Sequence, residues 1–462
     1  MSTLSTVIIG GGPGGLGPLV WAAQQGLLPA WLDRGVAVVE RQNHLGGTLG
    51  KFGIYSDSLG GSYLECLEWP DLPEALRRLR DDPVAREMAT YRDGFPPLTL
   101  VDLFMRRIGS ALASMLNGRS ALYLASDARA VRLCEDGSAV VDVVRADGAG
   151  LTLSARAVVV ALGGRQHWPQ MTLTPELPLH NTQAQHVMPS DLLLTTEGLK
   201  QADALIAGAG QRRILILGGS HSAYAVAGAL LELPAAANLA PGQIVILQRR
   251  EPRIFYPDHK AASEDRYEVD VGDICPRTQR VNRMGGLRGY GREMWRRITD
   301  RPGILSEPRV VRRPLQALST AELQAEIRTA ALAVPCFGYR SATMPILDKD
   351  GTALTLSAET GGVAVGDDCR LLTTDGRSLP NLFGIGLGTG YKLPAGMGGE
   401  PNFDGQANSL WLYQNDIGAV IYRAIDDMTR DLATQPSPDV VRDRHGFQRA
   451  GVAVLAGPDA RL

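Results

Sequence analysis

Residues 6–15 read TVIIGGGPGG, and this stretch decides the fold. A β-branched, apolar run favours a strand, and it ends in glycines followed directly by LGPLVWAAQQ, a helix-compatible segment. Gly10, Gly12 and Gly15 spell GxGxxG in the strand-turn-helix context that a dinucleotide site requires, with Gly14 in the same turn. The first glycine permits the tight turn, the second lets a pyrophosphate approach the backbone, and the third brings helix and strand together. The phosphates then rest on the helix N-terminus. The next strand, expected over residues 36–40, ends on Glu40, whose carboxylate can accept both ribose hydroxyls of an adenosine and repels a 2′-phosphate. The site therefore suits FAD or NAD. Its N-terminal position and the Gly46-Gly47 pair favour FAD.

A second such unit begins at Arg213, with RILILGGSHSAYAVAGALLEL. Gly218, Ser220 and Ser222 form a GxSxS turn in which small residues still let phosphate approach and hydroxyls add donors. The following strand, over 244–247, runs into Gln248, Arg249 and Arg250, so the charge is reversed at the place where the first unit carries Glu40. An arginine here can pair with the 2′-phosphate of NADPH. One of the two is expected to do so and the other to lie nearby; a basic surface edge is the plainer alternative.

Bulk composition limits the remaining choices. The chain has 462 residues, enough for about three domains or for two with one interrupted. Hydrophobic residues at 44% and charged residues at 21% fit a folded globular protein, and 53 glycines fit an α/β chain with many tight turns. With 47 basic and 49 acidic side chains the formal charge is −2, which provides no field for nucleic acid or an anionic membrane. Five scattered cysteines without a CxxC pair argue against a redox-active disulfide and for a reducing compartment. No basic n-region precedes the first strand and no apolar run reaches a membrane span, so a cytoplasmic protein is expected. No spacing suggests a metal site.

The expected fold class is α/β, with two Rossmann-like dinucleotide-binding domains, the FAD domain discontinuous and the NADPH domain inserted into it. Residues 1–205 form the first part of the FAD domain, with a helical insertion at about 46–122. Residues 206–345 form the NAD(P)H domain, whose arginine-rich segment at about 253–313 covers the cleft and, with Tyr256, His259, Lys260 and Arg266, is where the substrate pocket is expected, a solvated basic surface being the alternative. Residues 346–433 return to the FAD domain, and 434–462 form a tail. Short strands are expected near 139–144 and 151–153, and a helix at about 405–428.

These residues resemble class B flavoprotein monooxygenases, the group of Baeyer–Villiger and N-hydroxylating enzymes, over most of the chain in order. GGTLGKFGIYSDS, from Gly46, is similar to the loop that ends in an Asp-Ser pair beside the flavin, which implies roles for Gly47, Asp57 and Ser58. GGRQHWP, residues 163–169, resembles a shortened form of that group's glycine, histidine and tryptophan fingerprint, and makes Gly163 and His167 candidates. LQRREPRIFYP resembles the strand end that carries the NADPH-binding arginine, here Arg249, and PCFGY resembles the ATGY motif with Phe for Thr. In NLFGIGLGTGY and the segment after it, Gly386, Gln406 and Asn408 are expected against the flavin's pyrimidine end, where a helix N-terminus stabilises the negative charge of the reduced ring. His167 and Trp168 are adjacent, unlike in the full Baeyer–Villiger fingerprint, so ester formation is not expected.

The resemblance implies an enzyme in which NADPH reduces FAD, reduced flavin takes up O2 at its C4a position, and one oxygen passes to a small molecule, by N-hydroxylation or another heteroatom oxidation. An NAD(P)H-linked FAD reductase or dehydrogenase, and a non-catalytic redox sensor, are the alternatives. Asp57 and His167 are the candidate catalytic side chains, against helix capping and linker packing, and Tyr391 and Lys392, near the flavin loop, are expected on a solvated loop. Self-association into a homo-oligomer is left open.

Overall fold

β1 (Leu4–Ile9) is buried at every position after the first, as a strand must be when helices cover both faces of a parallel sheet. In the computed structural model, which describes residues 3–117, 121–166, 172–174, 177–179, 185–394 and 397–430, this strand lies at the centre of a ten-stranded sheet. The chain passes through α1 (Pro13–Gln24) to β2 (Val36–Val39), parallel to β1. The long amphipathic α2 (Leu98–Leu116) precedes β3 (Ala121–Tyr123), which adds in parallel to β2. β4 (Asp127–Leu133), β5 (Ala139–Val144) and β6 (Gly150–Val160) then form an antiparallel meander.

The short strand expected at 151–153 and the apolar run after it are one strand, β6. Its first half alternates beside β5, and its second half is continuously buried beside β1. One strand thus belongs to two kinds of sheet.

The chain then leaves this core. α3 (Thr196–Ala207), β7 (Ile214–Leu217), α4 (His221–Leu231), β8 (Ile244–Gln248), α5 (Gly289–Ile298), β9 (Val310–Pro314) and β10 (Leu332–Pro335) build a second, all-parallel sheet ordered β9-β8-β7-β10. Its hydrophobic cluster already includes Met188, Leu193, Ala202 and Ile206, so packing changes over before position 206, where the pattern along the sequence changes. α4 and α5 touch closely because Gly228 has no side chain, and a Cβ there would collide with the Tyr290 ring.

β11 (Ile346–Leu347), β12 (Ala353–Leu354), β13 (Arg370–Leu372) and β14 (Ser378–Gly384) return to the first sheet, where β14 lies parallel to the end of β6. The two crossings between the sheets run side by side, Gly164–Arg165 pairing antiparallel with Arg340–Ser341. The helix expected at about 405–428 is instead two, α6 (Leu410–Gln414) and α7 (Asp416–Thr429). Asn415, at φ −127 and ψ −99, breaks it, and α6 starts late because the Ser409 side chain caps the Leu412 N–H. The tail beyond 434 lies outside the described residues. Among the described residues no helix is long and apolar enough to cross a membrane.

Candidate active site

The first glycine turn makes a cradle of bare backbone. Gly10 has φ +101, and a Cβ there would collide with the Ala161 carbonyl; one on Gly15 would collide with the Gly10 carbonyl. Gly12, by contrast, has only Gly47 Cα within 4 Å of its Cβ direction, at 3.8 Å. Gly14 comes within 3.2 Å of Gly386 Cα by the same measure, and Gly386 approaches Gly163 Cα at 3.9 Å. Four separate loops thus meet at the N-terminus of α1, which has no side-chain cap. This fits a dinucleotide pyrophosphate, since the free N–H groups and the helix dipole face a space without side chains.

Glu40 holds the rim of that cradle. Its Oε2 accepts from the Gly11 N–H at 2.6 Å and its Oε1 from the Gln42 N–H at 2.7 Å, and the residue is buried. Each oxygen keeps a lone pair for a ribose hydroxyl. At the other end, Gln406 Oε1 accepts from the Gly390 N–H at 3.1 Å and so braces the turn that carries Gly386. Asn408 Oδ1 accepts from the Tyr413 hydroxyl at 3.3 Å. Tyr391, expected on a solvated loop, is fully buried, with its hydroxyl 3.7 Å from Met397 Sδ.

The second turn is built alike. Gly218 has φ +136, and a Cβ there would lie 2.6 Å from the Cys336 carbonyl oxygen. Ser220 is the N-cap of α4 yet makes no side-chain capping bond, and Ser222 is half-buried in its first turn. The Arg249 guanidinium donates to the carbonyls of Thr172 and Leu173 at 3.1 and 2.9 Å, while Arg250 is exposed and 3.7 Å from Asp404. Gln248, buried at the strand end, donates to Glu251 at 2.9 Å, and Glu251 pairs with Arg312.

Asp57 lies on the loop that follows Gly47 and His221 opens the helix of the second unit, and the Asp57 carboxylate acts on the His221 imidazole through its charge. Asp57 is exposed, contacts the Ser58 hydroxyl at 3.4 Å, and does not cap the following helix, whose N-cap is Leu59. His221 is the first residue of α4, and burial lowers its imidazole pKa, opposed by the nearby Asp57 carboxylate. Arg288, half-buried over the Phe255 ring at 4.6 Å, acts through its charge on His221 and is itself acted on by Asp57. Sequence reasoning missed His221 and Arg288. His221 stands inside the GxSxS turn, so its position was available as a signal; Arg288 had none beyond lying in an arginine-rich segment.

His167 lies outside the described residues. Tyr256, expected near the substrate, is instead buried and donates to Asp265 at 2.7 Å, a structural bond. All five cysteines are free, and among the described residues no group of three or more His, Cys, Asp or Glu side chains could hold a metal.

Comparison with known proteins adds to this geometry. Residues 4–269 match the pyridine nucleotide-disulphide oxidoreductase family. The chain is 32% identical over 436 residues to the CMP-5′-(3-aminopropyl)phosphonate hydroxylase of Streptomyces rubellomurinus, covering 93% of this chain and all of that one. Among solved structures it resembles the ornithine N-hydroxylase of Kutzneria sp. 744 (TM-score 0.52, 16% identity, 92% of this chain and 99% of that one). It also resembles the FAD-bound cadaverine monooxygenase of Erwinia amylovora (TM-score 0.52, 13% identity, 97% and 98% covered). At such low identity these two structures establish the shared fold.

Proposed function

Because the chain belongs to the pyridine nucleotide-disulphide oxidoreductase family and is a flavin-dependent oxidoreductase, we propose that it is an FAD- and NADPH-dependent monooxygenase that hydroxylates a primary amine. The observation that carries this reading is the pair of small-residue turns, Gly10–Gly15 and Gly218–Ser222, each opening onto a helix N-terminus without a side-chain capping bond, in a chain with no CxxC pair. Electrons that reach the flavin have no dithiol to leave by. When bound, FAD accepts hydride from NADPH and activates O2. The overall change is R–NH2 + O2 + NADPH + H⁺ to R–NHOH + H2O + NADP⁺.

The chain's own residues bind, orient and screen. Gly10, Gly12, Gly14, Gly15, Glu40, Gly47, Gly163 and Gly386 hold FAD, with Gln406 and Asn408 bracing its ring end. Gly218, Ser220 and Ser222 hold the pyrophosphate of NADPH, and Arg249 or Arg250 its 2′-phosphate. His221, whose imidazole pKa burial lowers, would favour its uncharged form at the head of the helix that would receive NADPH. Asp57 and Ser58 line the approach to the flavin, where a carboxylate can hold an ammonium substrate and take up its proton as nitrogen is oxidised. The relative from Streptomyces is named for an aminoalkylphosphonate joined to a nucleotide, and an amine bearing such an arm is the substrate class proposed here.

The test is anaerobic reduction of the FAD-loaded protein with NADPH, mixing with oxygenated buffer, and analysis for hydroxylamine from aminopropylphosphonate and its cytidylyl ester. Delayed return of the oxidised flavin spectrum together with hydroxylamine supports the reading. Immediate reoxidation with stoichiometric hydrogen peroxide and no hydroxylamine from either amine overturns it in favour of a reductase.

A further inference from the structure

The arginines of the cleft segment divide into two sets. Those that build the fold have carboxylates: Arg296 meets Asp265 at 2.8 Å, Arg297 and Arg309 meet Glu307 at 2.9 and 2.7 Å, and Arg277 meets Asp416 at 3.3 Å. Arg280, Arg283 and Arg288 have none within 4.0 Å among the described residues. Arg283 reaches only Cys275 Sγ at 3.7 Å and the Trp411 ring at 5.8 Å, and Arg288 only the Phe255 ring.

The nearest buried carboxylate is already engaged. Glu400, 3% exposed, accepts from the Met284 N–H at 2.9 Å and the Gly285 N–H at 2.9 Å. It thereby pins the turn that sets Arg283 and Arg288 on either side. Burial lowers the Arg288 pKa; Asp57 and Glu400 oppose this, while Arg283 and Arg280 add to it. A half-buried guanidinium among like charges is costly unless an anion shares the site. Trp411, the ring under Arg283, also lines a cavity of about 540 Å³ with Trp21, Trp69 and Arg277; the carboxylates on its wall are engaged, Glu65 by Trp411 Nε1 and Asp416 by Arg277, and it gives room for what such an anion carries.

We propose that Arg283 and Arg288, with Arg280 at the rim, form an anion subsite that binds a phosphate or phosphonate group on the substrate, with the tryptophan-lined cavity taking the group esterified to it. The proposal rests on the amine-hydroxylase reading and adds where, and by what charge, the substrate is held. Planar, multidentate guanidinium groups suit tetrahedral oxyanions. An arm anchored there leaves its amine end toward Asp57.

The test uses the FAD-loaded enzyme and propylphosphonate, which has the anion and no amine. Calorimetry is expected to show binding, and Arg283→Gln and Arg288→Gln to weaken it about tenfold each, the size of one lost charge-assisted bond. The same variants should raise KM for aminopropylphosphonate and leave KM for NADPH within about twofold. FAD stoichiometry reports folding, and Arg283→Lys and Arg288→Lys, which keep the charge, should restore part of the binding. No binding of propylphosphonate to the unaltered enzyme sinks the proposal without reference to any variant. A raised KM for NADPH with unchanged propylphosphonate binding also overturns it, assigning these arginines to the cofactor's phosphates. If propylphosphonate binds as expected while no amine is hydroxylated, the subsite stands and the amine-hydroxylase reading fails.

Discussion

Replacing Glu40 by Gln tests the first cradle at the point where it is most sharply defined. The carboxylate accepts two backbone N–H groups, from Gly11 at 2.6 Å in a buried setting and from Gln42 at 2.7 Å in a half-buried one. A carboxamide has one oxygen, so one N–H must face an NH2 instead. An unsatisfied buried donor costs about 1–3 kcal/mol, and the charge-assisted character of the original bonds favours the upper part of that range. Because Gly11 lies in the turn that receives the cofactor, this cost falls on the FAD-competent geometry and predicts a Kd for FAD raised about 5- to 150-fold. The assay is titration of the deflavinated variant with FAD by flavin fluorescence, alongside thermal unfolding of the apoprotein. An FAD affinity within about twofold of the parent would mean that the two Glu40 bonds do not hold the turn in its FAD-competent shape. If the apoprotein nevertheless unfolded earlier, Glu40 would be a brace for the turn and no ribose ligand.

Three further outcomes are expected. Gly218→Ala, at φ +136 with the Cys336 carbonyl 2.6 Å from the new Cβ, should destabilise the second sheet by about 2–4 kcal/mol and weaken NADPH while FAD remains stoichiometric; loss of both cofactors together would contradict the separation of the sites. Arg249→Ala should raise KM for NADPH more than for NADH, and equal losses would place the 2′-phosphate elsewhere, with exposed Arg250 the next residue to test. Glu307 is held below the usual carboxylate range by the Arg309 guanidinium, so its contribution is complete above the ordinary carboxylate pKa and is lost as pH falls through the depressed one. Urea unfolding from about pH 6 down to about pH 3 should show a steeper acid loss in the parent than in Glu307→Gln, which starts about 3 kcal/mol less stable, and parallel curves would count against it.

Much of the fold was legible because it is written locally. β1, its glycine turn and α1 are contiguous, and so are β7, Gly218 and α4; each unit declares itself within about twenty residues. Glu40 was legible because strand length fixes where the next strand ends. Misreadings arose where long-range packing decides. The fusion of two expected strands into β6 follows from its having β5 on one stretch and β1 along another, which periodicity within 151–160 does not encode. Nothing local encodes, either, that the Arg249 guanidinium donates to Thr172 and Leu173, more than seventy positions away in the chain, a placement that leaves its expected part in NADPH binding to the test above. Asp57, His221 and Arg288 come from three remote segments, and no local pattern announces that their charges act on one another. Tyr391 looked solvated beside Lys392 because loop composition is polar, yet the return of residues 397–407 covers it.

The paired crossings at Gly164–Arg165 and Arg340–Ser341 bear on how such a molecule could be assembled and taken apart. The inserted sheet leaves and rejoins the first core at neighbouring points, and Val187 even bridges Ala333 at its base. A cassette with adjacent ends can be exchanged without displacing its host, since a short linker spans the gap that its removal leaves. Bonds from the cleft segment back to the first core, Arg277 to Asp416 and the Met284 and Gly285 N–H groups to Glu400, add to that ribbon, so grafts with different reductant preferences should be tolerated so long as both sets of contacts are kept.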